Sequence, residues 1–215
     1  MMKTAPSILS ADFLHLEDDI RMLNGCADYI HIDVMDGTFV PNISFGFSVI
    51  DQLGKVATIP MDAHLMTVHP ERWFSRLADD KVSLTSFHLE AAGRRSAAYL
   101  EQIRSLGMKA GLAIDPDVPV EKLFPYIGKA DFFLIMSVFA GFGGQKFIYE
   151  SLDRVSKLKA EIEKRGDKAL IEVDGGVNVG NAAALREAGA DIIVAGSAVF
   201  KADDPQEMIR TLAQA

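Results

Sequence analysis

The sequence predicts an α/β fold, a (β/α)8 barrel of the TIM type, on three observations. Eight short apolar segments recur along its 215 residues, and amphipathic segments of helix length lie between them. No Pro-, Gly- or Ser-rich linker divides the chain, so residues 1–215 read as a single catalytic-sized domain. Sharing 215 residues among eight units leaves about 27 each, room for one strand, one helix and two short loops.

The strands are taken in order. SILS at 7 to 10 is placed as the first, and YIHIDV at 29 to 34 alternates apolar with polar residues in the period of a strand. IPMDAHLM at 59 to 66 repeats that alternation, followed by SLTSFHL at 83 to 89 and MKAGLAI at 108 to 114. DFFLIMSV at 131 to 138, ALIEVD at 169 to 174 and DIIVAG at 191 to 196 complete the eight. Among the intervening helices, 151 to 166 ends at Gly166, a residue suited to a helix C-terminus. The segment 179 to 189 is preceded by Asn178, a candidate N-cap. Short loops between alternating strands and helices require a parallel sheet, and eight units close most economically into a barrel. An open doubly wound sheet lacks its signature, because no G-x-G-x-x-G follows the first strand.

Composition narrows the function classes. Hydrophobic residues at 49% and charged residues at 24% are the balance of a globular domain with a real core. A net charge of −8 with no Lys/Arg-rich run argues against nucleic acid or an anionic membrane as partner, so an anionic ligand needs a local site. No apolar run approaches the roughly 18–20 residues of a membrane span, and Asp12 interrupts the N-terminus, so the expected location is cytoplasmic. The single cysteine, Cys26, excludes an internal disulfide or multi-cysteine metal site and reads as a small buried filler.

The polar faces of the strands carry the chemistry. Tyr29, His31 and Asp33 share one face of the second strand, with His31 and Asp33 about 6–7 Å apart and pointing into the barrel near its C-terminal rim. Asp62, His64 and Met66 share a face of the third strand, and Glu172 and Asp174 one of the seventh. A lone strand-end histidine is more often a hydrogen-bonded structural residue, and a lone Asp before glycine a turn former. Two histidines and two carboxylates converging at one rim form a plausible N,N,O,O set for Zn²⁺, Fe²⁺, Mn²⁺ or Co²⁺. His15, His69 and His88 read as structural or surface residues.

Glycines cluster after the sixth, seventh and eighth strands, in GFGGQ at 141 to 145, GG at 175 to 176 and GS at 196 to 197. Loops after the last barrel strands commonly hold phosphate, and glycine lets backbone N–H groups approach an anion. These glycine segments contain no Lys or Arg, so dipoles and Ser197 would do the binding. Met35, Met66 and Met136 also fall near strand ends; methionine is usually core filler, but above a metal it would make a dry, uncharged lid.

From its first strand to its last helix the chain resembles the ribulose-phosphate 3-epimerase family. The matching segments include PSILSADF at 6 to 13, HIDVMDGTFVPNISFG at 31 to 46, DAHLM at 62 to 66, FHLEA at 87 to 91, GFGGQKF at 141 to 147, EVDGGVN at 172 to 178 and AGSAVF at 195 to 200. The resemblance implies a barrel of the ribulose-phosphate binding type with one divalent metal, interconverting D-ribulose 5-phosphate and D-xylulose 5-phosphate. It implies His31, Asp33, His64 and Asp174 as metal ligands, and Asp33 and Asp174 as the pair that moves a proton through a metal-stabilised cis-enediolate. Ser7, His64, Gly143, Gly144, Gln145, Gly175, Gly176, Gly196 and Ser197 are implied substrate contacts, with Met35, Met66 and Met136 as the lid. It further implies a homo-oligomer acting on a small sugar phosphate.

One stretch departs from the family pattern: Phe139-Ala140 stands where a polar residue and proline usually precede GFGGQ. Loss of proline is expected to loosen this loop. Phe139 is expected to place an apolar ring near the substrate entrance, which bears on sugar specificity more than on chemistry. A related epimerase acts on allulose 6-phosphate, although NISFG and AGSAVF look more like the pentulose enzyme. A metal-free decarboxylase or tryptophan-pathway barrel would need a strand-end lysine where this chain has His and Asp.

Overall fold

A computed structural model describes all residues, 1–215. The strands are β1 (Lys3–Pro6), β2 (Ile30–Met35), β3 (Met61–Met66), β4 (Val82–His88), β5 (Lys109–Ile114), β6 (Phe132–Met136), β7 (Leu170–Asp174) and β8 (Ile192–Ala195). All pairings are parallel, in the order β1-β8-β7-β6-β5-β4-β3-β2. The two ends meet where Ser7 bridges His31 and the Thr4 carbonyl accepts the N–H of Tyr29 at 3.1 Å, nearly closing the barrel.

The helices are α1 (Leu16–Leu23), α2 (Phe47–Val56), α3 (Phe74–Asp79), α4 (Leu89–Ala92), α5 (Ser96–Ser105), α6 (Ser151–Lys164), α7 (Ala182–Ala188), α8 (Ser197–Phe200) and α9 (Pro205–Gln214). One crossover departs from the α pattern: β5 reaches β6 through a 3₁₀ segment, Val120–Tyr126, with Pro119 at its start and Pro125 inside it. Proline removes backbone donors that an α-helix would use, so the tighter turn forms instead. No helix is long and apolar enough to cross a membrane.

Three local expectations need correction. SILS is not the first strand: β1 ends at Pro6, and Ile8–Ser10 forms a 3₁₀ turn. The Ser7 hydroxyl accepts from the Leu9 N–H at 3.3 Å, a local turn that competes with strand pairing. Asn178 is not the N-cap of α7, which starts three residues later behind Asn181. Asn178 instead folds a turn, accepting from the Gly180 N–H at 2.8 Å and donating to the Gly176 carbonyl at 2.9 Å. Cys26 is only half-buried, its S–H directed at the Met22 carbonyl 3.3 Å away.

The main core lies between strands and helices and takes the outward faces of the strands, Ile30, Ile32 and Val34 from β2 among them. The barrel interior stacks in levels, as inward residues two apart along each strand must. Its floor is an apolar plug of Ala5, Tyr29, Leu84, Phe132, Ile192 and Val194. Gly111 on β5 makes room for that plug: a Cβ there would lie 2.2 Å from Cζ of Phe132. Above the floor the inward side chains of β2, β3 and β7 are polar up to the methionines, while β5 and β6 contribute Ala113 and Leu134.

Candidate active site

Register brings the polar levels together. In the β2–β3 pair His31 stands beside Asp62, Asp33 beside His64 and Met35 beside Met66, while in β6–β7 Met136 stands beside Asp174. The lower level is His31, Asp62 and Glu172, all fully buried. His31 Nδ1 is 2.6 Å from Asp62 Oδ2 and 3.8 Å from Glu172 Oε1. The upper level is Asp33, His64 and Asp174, with His64 Nδ1 3.3 Å from Asp33 Oδ1 and 4.0 Å from Asp174 Oδ2. The Ser7 hydroxyl donates to Asp33 Oδ2 at 2.6 Å. At the strand end, Ser44 donates to the Asp33 carbonyl at 2.6 Å and accepts from the Met35 N–H at 3.0 Å, which fixes the backbone carrying Asp33.

One potential ligand atom from each of His31, Asp33, His64 and Asp174 falls within 4.8 Å of the others. The donor set fits a divalent cation on a second observation. With Nδ1 of His31 held by Asp62, its Nε2 is buried without a hydrogen-bond partner, 3.5 Å from Asp33 Oδ1. A carboxylate behind a histidine that fixes the ring and its tautomer is the usual support of a metal-binding imidazole.

Unequal contact with the histidines splits the two carboxylates of this level. Asp174 is pushed up to about 7, first by burial and then by the charge of Asp33. Burial acts on Asp33 too, but the charge of His31 and hydrogen bonds from His31 and His64 overcome it and hold Asp33 well below the usual carboxylate range. Burial also opposes the charge on His31, yet Asp62 and Asp33 on either side keep that ring well above its ordinary value. His64 falls to about 4, through burial and the neighbouring His88 and His31 against the opposing pull of Asp33. Glu172 is raised far above the carboxylate range, by burial and by Asp62.

A pH dependence follows. His31 holds a proton well above its ordinary range that a cation on the ring must displace, so metal affinity rises between pH 6 and pH 8, by up to about tenfold per pH unit while that proton is held. Competition titration with Zn²⁺ at the two pH values reads this, and a pH-independent affinity contradicts it.

The mouth above the cluster gathers the remaining expected residues. Ser7, Met35, Met66, Met136, Gly143 and Gly144 line one cleft with Gln145, Gly175, Gly176, Gly196 and Ser197, and Asp33 and Asp174 form its floor. His31 and His64 lie beneath it, fully buried. The methionines are also buried, Met35 and Met66 packing with Val40, and Met136 with Val138. Gly175 and Gly176 have a structural reason for being glycine. Both have positive φ, and a Cβ at Gly176 would sit 2.6 Å from the Phe147 backbone nitrogen. At Gly144 nothing lies within 4 Å of where a Cβ would be, so its backbone faces open space. Gln145 is committed within its own loop, its amide donating to the Phe139 and Phe142 carbonyls at 2.7 and 2.9 Å.

Phe139, 52% exposed, lines the same cleft. The loop is nonetheless tied: the N–H of Ala140, which a proline would lack, donates to Asp115 at 3.2 Å, and Asn42 donates to the Gly141 carbonyl at 2.7 Å. Sequence reasoning missed Asn42, Ser44, Asp115 and His88. His88 is neither on the surface nor remote; it is fully buried, with Nε2 2.8 Å from Nε2 of His64. By contrast His15 and His69 are exposed, as expected.

Fold and cluster together define a (β/α)8 barrel with a buried group of histidines and carboxylates beneath a cleft at its C-terminal mouth. Among solved structures the chain is similar to 3-hexulose-6-phosphate synthase, with a TM-score of 0.72 over 99% of both chains at 19% identity, a likeness of fold. The sequence profile of the "Ribulose-phosphate 3 epimerase family" matches residues 3–200. Ribulose-phosphate 3-epimerase of Bacillus subtilis is 42% identical over 211 residues, 97% of each chain. That of Mycobacterium tuberculosis is 42% identical over 208 residues, 97% of this chain and 90% of the relative. The chain belongs to the ribulose-phosphate 3-epimerase family and is an epimerase, an enzyme of the isomerase class.

Proposed function

We propose that the enzyme inverts C3 of a ketose phosphate, interconverting D-ribulose 5-phosphate and D-xylulose 5-phosphate, with Asp33 and Asp174 as the two proton carriers. The observation that carries this reading is the split between two adjacent carboxylates, Asp33 held ionised and Asp174 near 7. Environments that push paired groups apart assign one as base and the other as acid. Asp33 takes the C3 proton, the electron pair of that bond forms the C2–C3 double bond of an enediolate, and Asp174 gives a proton to the opposite face of C3. The reverse reaction exchanges the roles. His31, Asp33, His64 and Asp174 would hold one divalent ion, Zn²⁺, Fe²⁺, Mn²⁺ or Co²⁺, which when bound supplies Lewis acidity that stabilises the negative charge developing on the substrate.

Met35, Met66 and Met136 form a wall without hydrogen-bond donors or full charges that excludes water from the carboxylates. Gly144, Gly196 and Ser197 line the same cleft, and on this reading they receive the phosphate. The full-length match to relatives named as ribulose-phosphate epimerases supports the pentulose over allulose 6-phosphate.

Deuterium incorporation at C3 of ribulose 5-phosphate tests the reaction, run on metal-depleted enzyme and after each ion is added back. Rapid exchange and inversion are expected only with metal, a loss of about 10²-fold or more on depletion. Undiminished exchange without metal, or none with it, overturns the reading. Faster turnover of allulose 6-phosphate in parallel assays would reassign the substrate.

A further inference from the structure

We propose that His88 is a positioning residue: it accepts the Nε2 proton of His64 and so fixes the tautomer in which His64 presents a bare Nδ1 to the metal site. This deepens the metal reading above and rests on it. Nδ1 of His64 is the nitrogen that faces Asp33 and Asp174, at 3.3 and 4.0 Å. A neutral imidazole with a lone pair on Nδ1 carries its proton on Nε2. The partner placed to accept that proton is Nε2 of His88, 2.8 Å away and, like His64, shut off from solvent. Without that acceptor the His64 Nε2–H would be buried and unpaired, which disfavours the tautomer needed for coordination.

Once His88 accepts on Nε2, its own proton is on Nδ1. That atom is buried, has no hydrogen-bond partner, and faces Glu90 Oε1 at 3.8 Å. Glu90 is itself anchored, accepting the Asp115 N–H at 2.8 Å. Phe39 packs on the His88 ring at 4.6 Å between centroids and holds its plane. His88 is therefore the counterpart of Asp62 behind His31, with Glu90 near its far nitrogen but beyond hydrogen-bond distance.

His88, Glu90 and Asp115 could also be read as a second cation site, since their ligand atoms cluster. The proton count opposes that. A cation on Nδ1 of His88 would place its proton on Nε2, where it is donated to Nε2 of His64 and forces the His64 proton onto Nδ1. Neutral rings in this contact cannot serve both sites, and the His31, Asp33, His64 and Asp174 set offers more donors.

The test uses Zn²⁺ on the intact chain. In wild type, ¹⁵N-histidine NMR with Zn²⁺ bound should show His64 protonated on Nε2 and His88 on Nδ1. By competition titration, His88→Phe should bind Zn²⁺ about 10–100-fold more weakly, whereas His88→Gln, whose amide oxygen can accept the same proton, should recover most of that loss. A folded Phe variant with unchanged affinity, or an Nε2 proton retained on His88 in the loaded wild type, overturns the inference. If the Phe variant does not fold, the wild-type spectrum decides. Failure of wild type to bind any divalent ion overturns the metal reading itself, a distinguishable result.

Discussion

Asp174→Asn is expected to slow epimerisation by about 10²–10⁴-fold, the range for removing one positioned acid–base group. The substitution is nearly isosteric and lies at the C-terminal end of β7, where the Asp174 side chain is 16% accessible, so the barrel should keep its melting behaviour. What Asn loses is the ability to carry a proton. Asp33 remains ionised and supported by Ser7, so one epimer should still lose its C3 proton. The expected signature is solvent deuterium entering C3 of that epimer without inversion, read by NMR with metal content measured in parallel. Near-normal inversion in a metal-loaded Asp174→Asn variant would sink the two-carboxylate scheme. Asp33→Asn should be at least as damaging but less clean, because His31, His64 and Ser7 all converge on Asp33.

Phe132→Ala is expected to cost about 3–5 kcal/mol of stability, the range for deleting a buried aromatic ring. Phe132 is 1% exposed at the centre of the barrel floor, and Gly111 is kept without a side chain to receive it. Gly111→Ala should therefore overpack the floor by about 1–3 kcal/mol in the wild-type background and cost much less beside Phe132→Ala. Urea unfolding of the two single variants and the double variant measures this coupling. Additive costs would mean that the ring and the glycine do not share the space the structure assigns them.

The chemistry of the upper site was more legible in the sequence than its support. A strand alternates faces with a period of two, so His31 with Asp33, and Asp62 with His64, could be assigned to the barrel interior from spacing alone. The glycine loops were legible for the same positional reason, though Gly175 and Gly176 are required by contacts inside the protein whether or not an anion binds. Spacing says nothing of how far one strand is shifted along the next. The β3–β4 pair changes register between Met61 and Asp62, and this sets the height at which His88 of β4 meets His64. Hence His88 read as an ordinary strand-end histidine. The misplaced first strand and the misplaced helix cap have one local cause: Ser7 and Asn178 each had a nearer backbone partner than the element assigned to them. The loosening expected from the missing proline overlooked the N–H that alanine restores and Asp115 accepts.

By itself, then, the sequence determined the eight alternating units, the inward faces of β2, β3 and β7, and the pairing of carboxylates with histidines at one rim, because these depend on period and order along the chain. Only the tertiary structure decided that Asp33 stays ionised while Asp174 rises to about 7, that Asp62 stands behind His31, and that His88 stands behind His64. Those facts depend on burial and on charges brought within a few ångströms from distant strands. Such interactions grow strong only where water is excluded, and that exclusion is a property of the closed barrel.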